Sequence, residues 1–97
     1  MTAYMICTID VRDAEQYKQY ATRAGAAVAK HGGRFIVRGG KFEVLEGEFD
    51  VQRVVVLEFP DVETVKRFYA SPEYEEARQY RLPVSDFNAI VVEGYSP

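Results

Sequence analysis

Apolar and polar positions along the chain change period several times, and each change marks an element. Residues Ala3–Val11 (AYMICTIDV) are rich in β-branched and apolar types and predict a first strand. Asp13 follows as a helix N-cap, with Gln16 three residues later in the place of a capping-box partner. From Ala14 to His31 the positions Tyr17, Ala21, Ala24, Val28 and His31 recur at intervals of four, three, four and three, which is one helical face. Gly32-Gly33 ends this helix, because glycine accepts the left-handed backbone just past a helix C-terminus.

Arg34–Arg38 (RFIVR) and Phe42–Glu46 (FEVLE) are extended stretches on either side of Gly39-Gly40. They predict one strand kinked or bulged at the double glycine, with a tight hairpin as the alternative. Gly47–Gln52 is a loop, and Arg53–Phe59 (RVVVLEF) is the clearest strand in the chain, interrupted only at Glu58. Asp61 caps a second helix whose buried stripe is Val62, Val65, Phe68 and Tyr69. Ser71-Pro72-Glu73 opens a third, short helix to about Tyr80: a serine cap, proline at the first helical position, a carboxylate in the first turn. Pro83 stops it, and Phe87–Glu93 (FNAIVVE) is the last strand.

The order is β-α-β-β-α-β with an extra helical turn before the final strand. Right-handed crossovers fold such a chain into a four-stranded antiparallel sheet with the helices on one face. The fold class is therefore α+β, a ferredoxin-like βαββαβ sandwich, and the length of 97 residues admits one domain, 1–97. Such a sheet should alternate apolar and polar residues. Met5-Ile6-Cys7, Val54-Val55-Val56-Leu57 and Ala89-Ile90-Val91-Val92 do not. Their second face would expose a patch of several hundred Å², more than a monomer usually tolerates. A homodimer packed sheet against sheet is the expected remedy.

Net charge is −3 with acids and bases interleaved, and no Lys/Arg stripe is present, which argues against nucleic-acid binding. The N-terminus lacks a basic n-region and its apolar run is too short for a bilayer, so no membrane association is expected. The one cysteine, Cys7, fits a reducing, cytoplasmic setting. Seven Tyr and six Phe are a generous supply for so small a core, so some rings are expected to line a pocket or an interface.

His31-Gly32-Gly33-Arg34-Phe35, Arg38-Gly39-Gly40, the run from Arg53 to Pro60 (RVVVLEFP), and Phe68-Tyr69-Ala70-Ser71-Pro72-Glu73-Tyr74, with Arg81 and Glu93-Gly94 after them, form a specific set. With it, the whole chain resembles the family catalogued as domain of unknown function 1330, within the dimeric α/β-barrel superfamily. The resemblance implies the ferredoxin-like fold and a barrel-like dimer. It implies no reaction. Wider relatives include cofactor-free monooxygenases, muconolactone-type isomerases and haem-handling proteins, a likeness of fold only.

Candidate chemistry rests on few side chains. His31, the sole histidine, is a general base near neutral pH or a residue favoured by the helix C-terminus. Glu58 breaks an apolar strand, either as a pocket carboxylate acting as acid or base, or ion-paired at the strand end. Tyr74 completes the candidate proton carriers. Arg38, placed by simple alternation on the same side as Arg34 and Ile36, is a bidentate anchor for a substrate carboxylate or a rim residue pairing across the dimer. Tyr69, Ser71 and Arg81 are the other candidate substrate contacts, although Ser71 reads first as a helix cap and Cys7 as a small buried hydrophobe. One histidine far from one cysteine makes no metal site, and no phosphate loop or dinucleotide fingerprint implies a cofactor. The expectation is a cofactor-independent isomerase or monooxygenase-like enzyme for a small organic acid or aromatic, with a non-catalytic ligand-binding or dimerisation module as the alternative.

Overall fold

The computed structural model describes every residue from Met1 to Pro97. Its elements run β1 (Ala3–Val11), α1 (Ala14–Lys30), β2 (Arg34–Arg38), β3 (Arg53–Phe59), α2 (Val62–Tyr69), α3 (Pro72–Arg81) and β4 (Ser85–Glu93). The four strands pair antiparallel in the order β2-β3-β1-β4, the topology that the two βαβ halves require. The architecture is α+β and ferredoxin-like. No helix is long and apolar enough to cross a membrane.

Register sorts the side chains into cross-strand rows. On the face toward the helices, Val91, Met5, Leu57 and Phe35 form one row, and Ala89, Cys7, Val55 and Arg38 the next. Phe87, Ile9 and Arg53 follow. Met5, Cys7, Ile9, Val55 and Leu57 are buried there against Tyr17, Tyr20, Ala24 and Val28 of α1 and Val65 and Phe68 of α2. The opposite face carries a row of four aliphatics across the whole sheet: Ile90, Ile6, Val56 and Val37. No helix covers it. Ile90 is 61% exposed, and Val37 and Val92 are exposed on the same face.

The helix ends follow the capping rules. The Asp13 carboxylate accepts from the Gln16 amide at 3.1 Å, and Asp61 accepts from the Thr64 amide at 2.7 Å. Gln16 does not complete a capping box: its side-chain amide donates instead to the Tyr80 carbonyl, tying α1 to α3. Gly32 (φ 80°) takes the left-handed position after His31, and the Gly33 amide reaches back to the Val28 carbonyl at 2.9 Å.

Three expectations about strands are corrected. Phe42–Glu46 is not a strand; β2 ends at Arg38, and residues 40–52 have neither helix nor ladder, because β3 begins only at Arg53 and leaves a continued β2 nothing to pair with. β4 begins at Ser85, two residues before Phe87, where it pairs with Val11. The irregularity in β2 lies at Ile36 rather than at the double glycine: Phe35 opposes Leu57, yet Val37 opposes Val56. One extra residue there reverses the alternation. Arg38 consequently lies on the helix-side face, not beside Arg34 and Ile36.

Candidate functional site

The space between the sheet and α1 closes incompletely. A cavity of about 40 Å³ remains, bounded by the Met5, Cys7 and Ile9 side of β1, by Tyr17, Tyr20 and Ala24 of α1, and by Phe68, Tyr74 and Phe87. Such a volume holds a few waters, since about 10–15 Å³ is enough for one. Fourteen of its sixteen lining residues are hydrophobic, and the two others are Arg38 and Arg53. A surface groove of about 420 Å³ adjoins it, sharing Tyr17, Ala21 and Arg53 and adding Lys18 and Gly39.

Gly39 explains how the Arg53 guanidinium fits at this mouth. Its φ is 74°, and a Cβ placed there would stand 2.8 Å from the Arg53 guanidinium. Only glycine serves both demands. Arg38 lies over the Phe35 ring at 3.9 Å and reaches the Ala21 carbonyl at 3.5 Å; the Arg53 guanidinium stands 5.9 Å from the Tyr17 ring centre. Neither arginine takes part in an ion pair. No carboxylate lines the cavity.

At the inner wall, the Tyr20 and Tyr74 hydroxyls meet at 2.9 Å, and an Arg81 nitrogen donates to the Tyr74 oxygen at 3.4 Å. Tyr74 and Arg81 are 1% and 4% exposed. Burial pushes the ionisation of both tyrosines up, so both remain protonated phenols. Burial likewise pushes the Cys7 thiol up to about 12, which leaves it an inert wall residue.

The other predicted residues are dispersed. Glu58 alternates with Leu57 onto the uncovered face, where its carboxylate accepts from Arg34 Nε at 2.8 Å. Ser71 is fully used as a cap: its hydroxyl accepts from the Tyr74 amide at 3.2 Å and donates to the Phe68 carbonyl at 2.7 Å. Tyr69 packs on Tyr74 at 5.1 Å and lines a separate apolar hollow of about 320 Å³ between α2 and β4. Of the predicted set, then, Arg38 and Tyr74 line the cavity, with Arg81 directly behind it. Tyr20 and Arg53 were missed. Tyr20 had a signal, lying three residues after Tyr17 on the same helical stripe.

His31 lies at the end of α1 against the Phe68 ring, with Nε2 3.5 Å from Glu73 Oε2. Lys30 also binds Glu73, and the Lys30 contact, then the backbone amide at the start of α3, hold the Glu73 carboxyl down at about 2 from an ordinary 4.5. A carboxyl depressed by folding contributes stability that is complete above its ordinary value and is lost as pH falls toward the folded one. Glu73→Gln is therefore expected to lose less stability than the unaltered chain between pH 4.5 and about 2. Urea melts across that range check this; equal slopes would show that the Lys30–Glu73 pair contributes nothing.

The family described as a domain of unknown function (DUF1330) matches residues 2–95. The chain belongs to this family. No curated protein matches it. Among solved structures, a DUF1330 chain of this kind is similar to a protein of unknown function from Rhodopseudomonas palustris, with 25% identity over 99% of this chain and 84% of that one, TM-score 0.80. It is also similar to SnoaB, a cofactor-independent oxygenase from Streptomyces nogalater, with 15% identity over 99% and 95% of the two chains, TM-score 0.64. A dimeric ferredoxin-like protein of unknown function from Jannaschia sp. CCS1 matches with 12% identity over 97% and 100%, TM-score 0.67. At these identities the last two likenesses are of fold.

Proposed function

We propose that this protein is a homodimer that takes a small organic acid or aromatic into the space between sheet and α1, which widens from its 40 Å³ to admit it, and acts on it without a cofactor, as an isomerase or monooxygenase-like enzyme. The observation that carries this reading is the pair Arg38 and Arg53, two guanidiniums without carboxylate partners at the mouth of an apolar cavity. Arginine forks match a carboxylate bidentately, and apolar walls suit the rest of an organic acid. Of the three side chains expected from the sequence to carry protons, Tyr74 is the one that lines the cavity. The Streptomyces nogalater oxygenase lends support, as a cofactor-independent enzyme on the same fold.

Binding without turnover is the second reading. It is favoured by the places of Glu58 and His31, two candidate proton carriers that lie outside the cavity.

The dimer draws support from the uncovered aliphatic row and from the segment after β2. Phe42, Val44, Leu45 and Phe49 are exposed there, Leu45 at 97%, and the Phe42 and Phe49 rings stand 5.3 Å apart. Dimeric relatives of the same fold point the same way. The lone buried Cys7 supports a reducing, cytoplasmic location.

Benzoate and phenylacetate, set against benzamide and phenylacetamide, test the site by thermal unfolding. At 100 times its Kd a bound acid stabilises by about 2.7 kcal/mol, a rise on the order of 10 °C for a chain this size. The amides should do far less. Arg38→Ala and Arg53→Ala should each weaken acid binding about 10–100-fold, the worth of a charge-assisted hydrogen bond. Acids and amides that behave alike, or variants that bind as well as the parent, would refute an anion site.

A further inference from the structure

Arg81 is a buried cation without an anion. It is 4% exposed, forms no ion pair, and its Nε has no hydrogen-bond partner. A guanidinium so placed is costly unless something offsets its charge. Two features of the chain do so in part: its place in the last turn of α3, where the helix dipole favours a cation, and the Phe87 ring 3.8 Å below it. Phe87 and Tyr20 are both cavity walls. Arg81 lies against both of these walls, its guanidinium 5.5 Å from the Tyr20 ring centre.

The hydrogen bonds beside it have a direction. A guanidinium can only donate, so the Tyr74 oxygen accepts from Arg81. The two tyrosine hydroxyls stand 2.9 Å apart and either could donate. Accepting from a cation makes the Tyr74 hydroxyl the stronger donor of the pair, which favours its proton lying toward the Tyr20 oxygen. The Tyr20 proton then has no acceptor in the protein, since Tyr74 is its sole hydrogen-bond partner. The other titratable side chains around it are Tyr17, Tyr74, Cys7 and Arg81, and none of them is a carboxylate that would take that proton.

We propose that Tyr20 is an oxyanion-binding residue, its hydroxyl polarised through Tyr74 by the buried Arg81, and that the ligand presents a phenolate or enolate oxygen to it. The inference rests on the reading of this cavity as the binding site and adds the ligand's second polar end. Carboxylate at Arg38 and Arg53 and charged oxygen at Tyr20 together define a small, flat acid bearing a phenol or an enolisable carbonyl. Tyr74 and Arg81 act through Tyr20 and are positioning residues. Preorganised donors in a water-poor site stabilise such charge far better than water does.

The test uses 4-nitrophenol, whose ionisation is read in the visible. In the unaltered protein the bound probe should ionise at least one pH unit below the free probe, a tenfold preference for phenolate. Tyr20→Phe, which removes only the hydroxyl, should abolish that shift, and Tyr74→Phe and Arg81→Met should diminish it. A shift that survives Tyr20→Phe, or one that disappears in Arg38→Ala alone, overturns the relay. Benzoate bound without any phenolate preference for the probe also overturns the relay and spares the anion site. If neither benzoate nor 4-nitrophenol binds, the anion site falls and the relay with it.

Discussion

If the proposed dimer forms through the uncovered sheet face, Ile90→Asp is expected to leave a folded monomer at concentrations where the unaltered chain pairs. Ile90 opens the aliphatic row that continues through Ile6, Val56 and Val37, and it is 61% exposed in the single chain. Within one chain, then, an aspartate there meets water and costs little. Between two chains it meets the partner's aliphatics. Burying about 400 Å² of apolar surface on each chain is worth roughly 20 kcal/mol at 25 cal/mol per Å², against about 4–15 kcal/mol lost on association. Each unpaired buried charge costs about 3 kcal/mol. Twofold symmetry applies that cost twice. The sum, about 6 kcal/mol, corresponds to roughly a 10⁴-fold rise in Kd. Sedimentation at micromolar concentration, with circular dichroism as the check on folding, reads the outcome. An unaltered chain that sediments as a monomer, or a variant that remains dimeric, would remove the case for this face as an interface.

Much of this architecture was legible because local signals agreed with one another. The caps at Asp13, Asp61 and Ser71 bond to the amides of Gln16, Thr64 and Tyr74 as their spacing requires. The two-sided apolar runs in β1, β3 and β4 announced the uncovered row. What could not be read was register. Residues 42–46 carry a strand's composition, yet a strand also needs a neighbour, and composition does not say whether one is available. The extra residue at Ile36 is a relation between β2 and β3, and it alone decides that Arg38 faces the helices.

The same holds for the site. Glu58 had two readings until pairing with Arg34 put it on the uncovered face. The value of Gly39 lay in admitting a side chain, Arg53, rather than a ligand or a turn. Arg81 was visible as a candidate substrate contact just past a helix expected to end near Tyr80; that it would be buried and unpaired was not. Composition supplied the participants, and their pairing across sequence distances of dozens of residues supplied the geometry.

Phe68→Ala should be the most damaging single truncation of the core. The Phe68 ring is 1% exposed and lies 5.2 Å from Phe59, 4.6 Å from Tyr74 and 5.9 Å from His31, so it joins β3, α3 and the end of α1. Truncating a buried phenylalanine costs about 3–5 kcal/mol, from lost transfer energy together with the cavity left behind. A domain holds only about 5–15 kcal/mol in reserve. With about 4–8 °C lost per kcal/mol in a domain of this size, a fall in Tm of roughly 12–40 °C is expected. Phe68→Leu, which keeps most of the volume, should lose no more than about a third of that. Because the proposed dimerisation would make Tm depend on concentration, parent and variants must be melted at one protein concentration. Phe68 also lines the cavity, so the alanine variant that survives at low temperature should have a larger one. A fall in Tm under 5 °C would mean that α2 and α3 are held by something other than this aromatic cluster.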